Sequence, residues 1–264
     1  MKKILLIDAD STIPNLALMK ISAYYRAQGC EVGFNVSDPN IVYSSIVFRK
    51  NRHMADSLSF YYPEAEIDVG GSGYDLAKEL PPWIESMSPD YGLYPECDYY
   101  LGFTTRGCIR RCHFCIVHEK EGDFRKVCDV SDICTGQDFK NCVLMDEEIA
   151  QALASLRAFR SWRIAFDSMA YRDDVIRAIG LMRDAGISLK HDLMCYVYCH
   201  SDDNVDDAVS RCRILKEEGV TAFSMLNIDV AKTARMQKLK DWTRPWSFWS
   251  CDYDEYSRAY RGRL

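Results

Sequence analysis

No stretch of this 264-residue sequence approaches roughly 18 consecutive apolar residues, the least that a membrane-spanning helix needs. The opening Met1-Lys2-Lys3-Ile4 runs directly into a strand-like segment ending at Asp8, without a signal-peptide pattern. A cytoplasmic chain with no membrane partner is expected. An excess of positive charge is also missing. Thirty-three Lys and Arg face 39 Asp and Glu, for a net charge of −6. That balance disfavours nonspecific nucleic-acid binding and leaves a local basic pocket open. Paired Cys-x2-Cys knuckles are absent, and only five histidines occur, the first of them His53. The one glycine-rich run, Gly70-Gly71-Ser72-Gly73, has no Lys-Ser/Thr completion and lacks dinucleotide-fingerprint spacing. It is read as a tight turn.

Apolar residues make up 48% and charged residues 27%, which suffices for a substantial core and excludes general disorder. The length suits one large domain or two modest ones. The N-terminal third alternates strand-like runs (4–7, 32–34, 42–48, 65–69) with a helix opened by Pro14 and closed at Gly29. Such alternation predicts a small Rossmann-like α/β layer with a parallel sheet over residues 1–80. Asp8 and Asp10 are expected to cap that helix or to point toward the mouth of a following barrel. Residues 81–98 hold Pro81, Pro82, Pro89 and Pro95 among aromatics and read as an ordered linker. Further strand-like runs follow at 142–145, 163–166, 191–200 and 222–226, with helices between them. They predict a shortened open (β/α) barrel over 99–230. Residues 231–264 form an aromatic- and arginine-rich segment that covers it.

Twelve cysteines are too few for a disulfide scaffold, and three of them crowd into Cys108-Ile109-Arg110-Arg111-Cys112-His113-Phe114-Cys115. The spacing is Cys-x3-Cys-x2-Cys. Thiolates this close can converge on one iron–sulfur cube, and three ligands leave one iron of a [4Fe–4S] cluster open to another molecule. A structural zinc site completed by His113, His118 or Cys128 is the competing reading, although zinc prefers a closed set of four ligands. Cys128, Cys134 and Cys142 raise an auxiliary cluster, but their spacing matches no tight iron–sulfur pattern. They read as ordinary free cysteines.

The cysteine loop, with Phe114 before its last cysteine, resembles the radical S-adenosylmethionine (SAM) superfamily. The runs Gly71–Leu76, Leu80-Pro81, Pro89–Tyr91, Gly102–Cys108 and Cys115–Val117 resemble a compact bacterial and phage group within it. That group carries a degenerate cobalamin-binding-like N-terminal layer, and the likeness does not identify its substrate. The resemblance implies Cys108, Cys112 and Cys115 as ligands of a [4Fe–4S] cluster and Phe114 as a neighbour of the SAM adenine. It implies that an electron from an external donor cleaves SAM to a 5′-deoxyadenosyl radical, which abstracts hydrogen from a small molecule, a peptide or a nucleobase. Asp146, with Glu147 second, would pair with the methionine amine of SAM; the competing reading has Asp146 cap the helix that follows it. Asp167 and Ser168 would hold its ribose or the substrate. Cobalamin ligated by a histidine is not expected, because the loop Asp8-Ala9-Asp10-Ser11-Thr12-Ile13 has none. One barrel unit looks reduced, so a partner or a second copy could close the barrel edge. A noncatalytic zinc or iron–sulfur interaction protein retaining the fold is the alternative.

Overall fold

The computed structural model describes residues 1–99, 101–112, 114–127, 145–156 and 161–257. The chain is α/β, with two parallel sheets of four and three strands. It divides into two compact units, Met1–Val127 and Cys128–Leu264.

In the first unit, β1 (Lys3–Asp8), β2 (Glu31–Gly33), β3 (Ile41–Ser45) and β4 (Glu66–Gly70) lie in the order β2-β1-β3-β4, all parallel. Alternation along β1 sends Ile4 and Leu6 to one face and Leu5 and Ile7 to the other. The first face packs on α1 (Leu16–Ala27) through Leu18, Met19 and Ile21. The second meets Val36, from the loop between β2 and β3, and Leu58 and Tyr62 at α2 (Leu58–Tyr61). Both faces are therefore covered, as a parallel sheet requires.

Asn15, rather than Asp8 or Asp10, caps α1: its Oδ1 accepts from Leu18 N at 3.3 Å. Asp10 instead accepts from Val47 N (2.7 Å), Phe48 N (3.0 Å) and Asn51 Nδ2 (2.9 Å). This contact explains why β3 stops at Ser45, short of the apolar run to Phe48. The amides of Val47 and Phe48 are bound by a carboxylate instead of a strand, and the chain turns into a 3-10 helix, Arg49–Ala55.

The proline-rich stretch belongs to the first unit because it packs there. Ile84 of α3 (Pro82–Glu85) and Leu93 are buried with Leu18 and Met19, and Tyr91, Tyr94 and Leu101 flank them. Polar ties add to this. Lys20 Nζ meets Glu85 Oε1 at 2.8 Å, Ser22 Oγ donates to Asp90 at 2.6 Å, and Tyr94 OH donates to Asp8 at 2.6 Å. Burial, then the bond to Asp8, raises the Tyr94 phenol far above its ordinary value. The segment before the cysteines is no strand of a parallel sheet among the described residues. It ends in β5 (Thr105–Arg106), paired antiparallel with β6 (Arg125–Lys126) across the short helix α4 (Val117–Lys120).

In the second unit, β7 (Trp162–Ala165), β8 (Leu193–Cys199) and β9 (Thr221–Leu226) are parallel and lie in chain order. Before them comes α5 (Glu147–Ser155). Between them run α6 (Arg172–Asp184) and α8 (Val205–Glu217), with a single turn, α7 (Leu189–Asp192), ahead of β8. His191 therefore sits in a helical turn, not in the strand expected over 191–200. The buried set of β8, Leu193, Cys195, Val197 and Cys199, packs with Val175, Ile179 and Met182 of α6 and with Val209 and Cys212 of α8. The tail adds α9 (Ala234–Trp242) and α10 (Pro245–Ser250). Trp242, Phe248, Tyr253 and Tyr256 are buried in this same core, whereas Trp246 is half exposed. Positions 142–144, Cys128, Cys134, His113, Arg258, Tyr260, Arg261 and Arg263 lie outside the described residues. No described helix is long and apolar enough to cross a membrane.

Candidate functional site

The cysteine loop begins at Gly107. Its φ of +72° suits glycine, and a Cβ there would stand 2.2 Å from Asp123 O and 2.8 Å from Gly122 O. The backbone returning toward β6 thus lies directly on Gly107, which closes the base of the loop. Arg106, next to it, fixes that base to its surroundings. Its guanidinium meets both Glu121 carboxylate oxygens at 2.9 Å and Glu85 Oε1 at 3.1 Å, and it stacks over the Phe103 ring at 4.0 Å. Since Glu85 also holds Lys20 of α1, one chain of charges joins the loop base to the helix beside the sheet. On the far side, Lys120 Nζ donates to Ser72 Oγ at 2.8 Å, tying α4 to the glycine turn after β4.

Cys108, Cys112 and Cys115 all lie on this loop, are in no disulfide, and are partly exposed. Arg110 N donates to Cys108 Sγ at 3.3 Å, and Cys115 N donates to Cys112 O at 3.0 Å, which turns the chain between the last two cysteines. Phe114 is half-buried in that turn. Among the described residues, no three His, Cys, Asp or Glu side chains are gathered as a metal-binding group. By donor chemistry the loop suits a soft metal or an iron–sulfur cluster: three thiols on one short loop, one already accepting a backbone amide. Thr104 Oγ1, ahead of the loop, and His118 Nδ1, after it, are buried without hydrogen-bond partners among the described residues. Unsatisfied polar atoms on both flanks are compatible with a site that a further group completes.

The other sequence candidates lie in the second unit. Asp146 is the N-cap of α5: Oδ1 accepts from Ile149 N at 2.8 Å. Glu147 opens the helix and is exposed, and both carboxylates stand at its positive end. Asp167 and Ser168 follow β7 at the carboxyl edge of the three-stranded sheet. Asp167 Oδ1 accepts from Tyr198 N at 3.1 Å, and Ser168 Oγ accepts from Ala170 N at 3.3 Å. The same edge carries His200 and Asn227. Asn227 Nδ2 lies 3.2 Å from His200 Nδ1, Asn227 N donates to Cys199 O, and its Oδ1 accepts from Asp229 N.

Sequence reasoning missed two arginines. One is Arg106, inside a motif but given no role. The other is Arg211 of α8, 1% exposed. Its guanidinium donates to Phe166 O (2.6 Å) and Tyr198 O (3.0 Å) and pairs with Asp207 at 2.7 Å. It thereby satisfies the carbonyls where β7 and β8 end, next to Asp167. An arginine amid the apolar positions Ala208, Val209, Cys212 and Leu215 was the available signal.

The remaining described cysteines of the second unit are of another kind. Burial raises the Cys195 thiol well above its ordinary value. It pushes Cys212 up to about 12, with Arg211 opposing, and also raises Cys199 and Cys251. Thiols held in this state pack as small hydrophobes.

Compared with known proteins, the chain matches no protein-family model and shows no significant match to a curated protein.

Proposed function

We propose that the chain is a radical SAM enzyme that holds a [4Fe–4S] cluster on Cys108, Cys112 and Cys115 and acts on an organic substrate by hydrogen abstraction. The observation that carries this reading is the Cys-x3-Cys-x2-Cys spacing on one short loop. Its three cysteines are in no disulfide and are partly exposed, while the other unit's described cysteines are buried. The parallel order β7-β8-β9, with helices between the strands, supports a shortened open barrel of the radical SAM type.

When bound, the cluster supplies SAM and one electron with a meeting point, the electron coming from an external donor. The chain's own residues do the rest. Gly107 and Arg106 hold the loop base, so the three thiols are presented from a fixed frame. Phe114 offers an aromatic surface for adenine. Asp146 or Glu147 would hold an ammonium, and Asp167 or Ser168 would hold hydroxyl groups. The parallel-sheet carboxyl edge, where Asp167 lies, is where such folds gather binding groups. Such a cluster would be oxidant-sensitive, which suits a reducing compartment such as the cytoplasm.

Anaerobic reconstitution with iron and sulfide tests the proposal. About four iron and four sulfide per chain are expected, followed by reductant-dependent formation of 5′-deoxyadenosine and methionine from SAM. Replacing all three loop cysteines by alanine abolishes both. Stoichiometric zinc without iron uptake would overturn the reading in favour of a noncatalytic interaction protein.

A further inference from the structure

The carboxyl edge of the four-stranded sheet bears a site that the cysteine loop does not use. Its strand order, β2-β1-β3-β4, reverses direction between β1 and β3. Ligands of open parallel sheets bind outside the strand ends at such a switch point. Here a cleft of about 400 Å³ opens among Ile7, Ala9, Ser44, His53, Met54 and Tyr61. Arg49 and Arg52 line a second recess with Ser72, Gly73 and Tyr74. A single 3-10 turn, Arg49–Ala55, supplies both walls: Arg52 faces the second recess and His53 the first.

This turn is held firmly. Asp10 binds the amides that lead into it, and the glycine loop after β4 presses against the same stretch. A Cβ on Gly71 would lie 2.4 Å from Ile46 O, and one on Gly73 would lie 2.5 Å from the Phe48 backbone. The glycines are therefore committed to close packing, and anion binding at this edge falls to side chains.

What the turn displays is unusual for a chain of net charge −6. Arg49, Lys50 and Arg52 are all exposed, and Asp56 is the only acidic residue between positions 47 and 62. None of the three cations forms an ion pair among the described residues. Lys50 lies within electrostatic reach of Asp10, and Arg52 stacks over Tyr74 at 5.2 Å. Asp75, also on the recess, accepts from Ala77 N. Lys50 lies over the ring of Phe48, 46% exposed, at 5.8 Å, and Tyr61, 67% exposed, lines the first cleft with His53 and Met54 of the turn. Cations alone would take any anion, and the apolar cleft alone any apolar group. Their adjacency on one rigid turn selects a ligand carrying both a planar ring and a phosphate.

We propose that this edge binds a free nucleotide, its base against Met54 and Tyr61 and its phosphates on Arg49 and Arg52. The proposal does not depend on the cysteine loop, and its test separates the two. Isothermal titration is run on the full chain and on the full chain carrying Cys108→Ala, Cys112→Ala and Cys115→Ala. The probes are ADP, UMP, adenosine, inorganic pyrophosphate and a single-stranded deoxyoligonucleotide. ADP binds at one saturable site with equal affinity in both backgrounds, and adenosine and pyrophosphate each bind more weakly. Arg49→Ala with Arg52→Ala weakens ADP about tenfold or more, as expected for lost charge-assisted contacts. Tyr61→Ala weakens it measurably, and neither change moves the melting temperature because these side chains are exposed. Absence of saturable binding overturns the proposal. So does pyrophosphate binding as tightly as ADP with indifference to Tyr61→Ala, which describes a plain anion patch. Binding of the oligonucleotide far tighter than ADP overturns it in favour of a strand-binding surface.

Discussion

Cysteine is one residue type with two chemistries here, and the fold decides which applies. Cys195, Cys199 and Cys212 lie under the helices of the second unit, fully buried, with thiols pushed upward by burial. Cys108, Cys112 and Cys115 are partly exposed on a loop that is closed at its base by Gly107. Since the thiolate is the nucleophile, access and charge state together set reactivity. Iodoacetamide at mildly alkaline pH is expected to label the loop cysteines of the metal-free folded chain well before Cys195 or Cys212, as read by peptide mass spectrometry. Loading the cluster should then protect the loop while leaving Cys30 and Cys97 reactive. Comparable labelling of Cys195 in the folded chain would contradict its burial. The loop trio was legible in the sequence because its three cysteines fall within eight residues. Asp10 was not legible in the same way. A short polar turn before a helix signals a cap equally well at Asp8, Asp10 or Asn15, and only the path of β3 shows that the amides of Val47 and Phe48 need an acceptor.

At the scale of elements, the strands and helices with strong periodicity were readable. Residues 4–7, 163–166 and 222–226 follow from short apolar runs, and the helices over 172–184 and 205–217 from helical placement of apolar side chains. The ends were less readable, because they depend on partners far away in sequence. β3 ends where Asp10 intervenes, and β8 begins only at Leu193, after a helical turn that includes His191. The proline-rich stretch at 81–98 reads as a linker by composition, yet Ile84 and Leu93 are buried against α1. Arg211 shows how an element end is secured in the second unit. Two strand-end carbonyls, Phe166 O and Tyr198 O, face a helix, and a buried guanidinium supplies their donors. Arg211→Met keeps much of the volume and removes those donors. The expected loss is about 2–4 kcal/mol, at the lower side of buried-pair deletions because Asp207 is partly exposed and can be rehydrated. Urea unfolding followed by far-UV circular dichroism measures it. Arg211→Lys should recover only part of the loss, since one ammonium does not match the fork geometry. A change below about 0.5 kcal/mol would place the arginine outside the stabilising network.

For the whole molecule, the two units share one electrostatic feature that couples each of them to pH. In the first, burial raises the Asp10 carboxyl, but the Val47 and Phe48 amides, Asn51 and the charge of Lys50 outweigh it and hold it below its ordinary value. In the second, the bond from Arg213 lowers Asp252, against burial and with help from Asp254 N and Lys216. Arg213 reaches both Asp252 and Asp254, and its own value is raised in return. A carboxyl whose folded value is depressed binds protons more readily once unfolded. Its contribution is therefore fully present above the unfolded value, near 3.8 for aspartate, and is lost as pH falls through the lower folded value. Melting temperature should hold steady above about pH 5 and fall below about pH 4 as these groups titrate. Asp10→Asn removes the titration from the first unit and Asp252→Asn from the second, so each variant is less stable near neutrality and less sensitive to acid. Hydrogen exchange resolved by peptide distinguishes the units: Asp10→Asn should flatten the acid response in Met1–Val127 and Asp252→Asn that in the described part of the second unit. Identical acid profiles for the parent and both variants would mean that neither carboxylate is held down, and that the loop after β3 and the Arg213 cluster are secured by something other than charge.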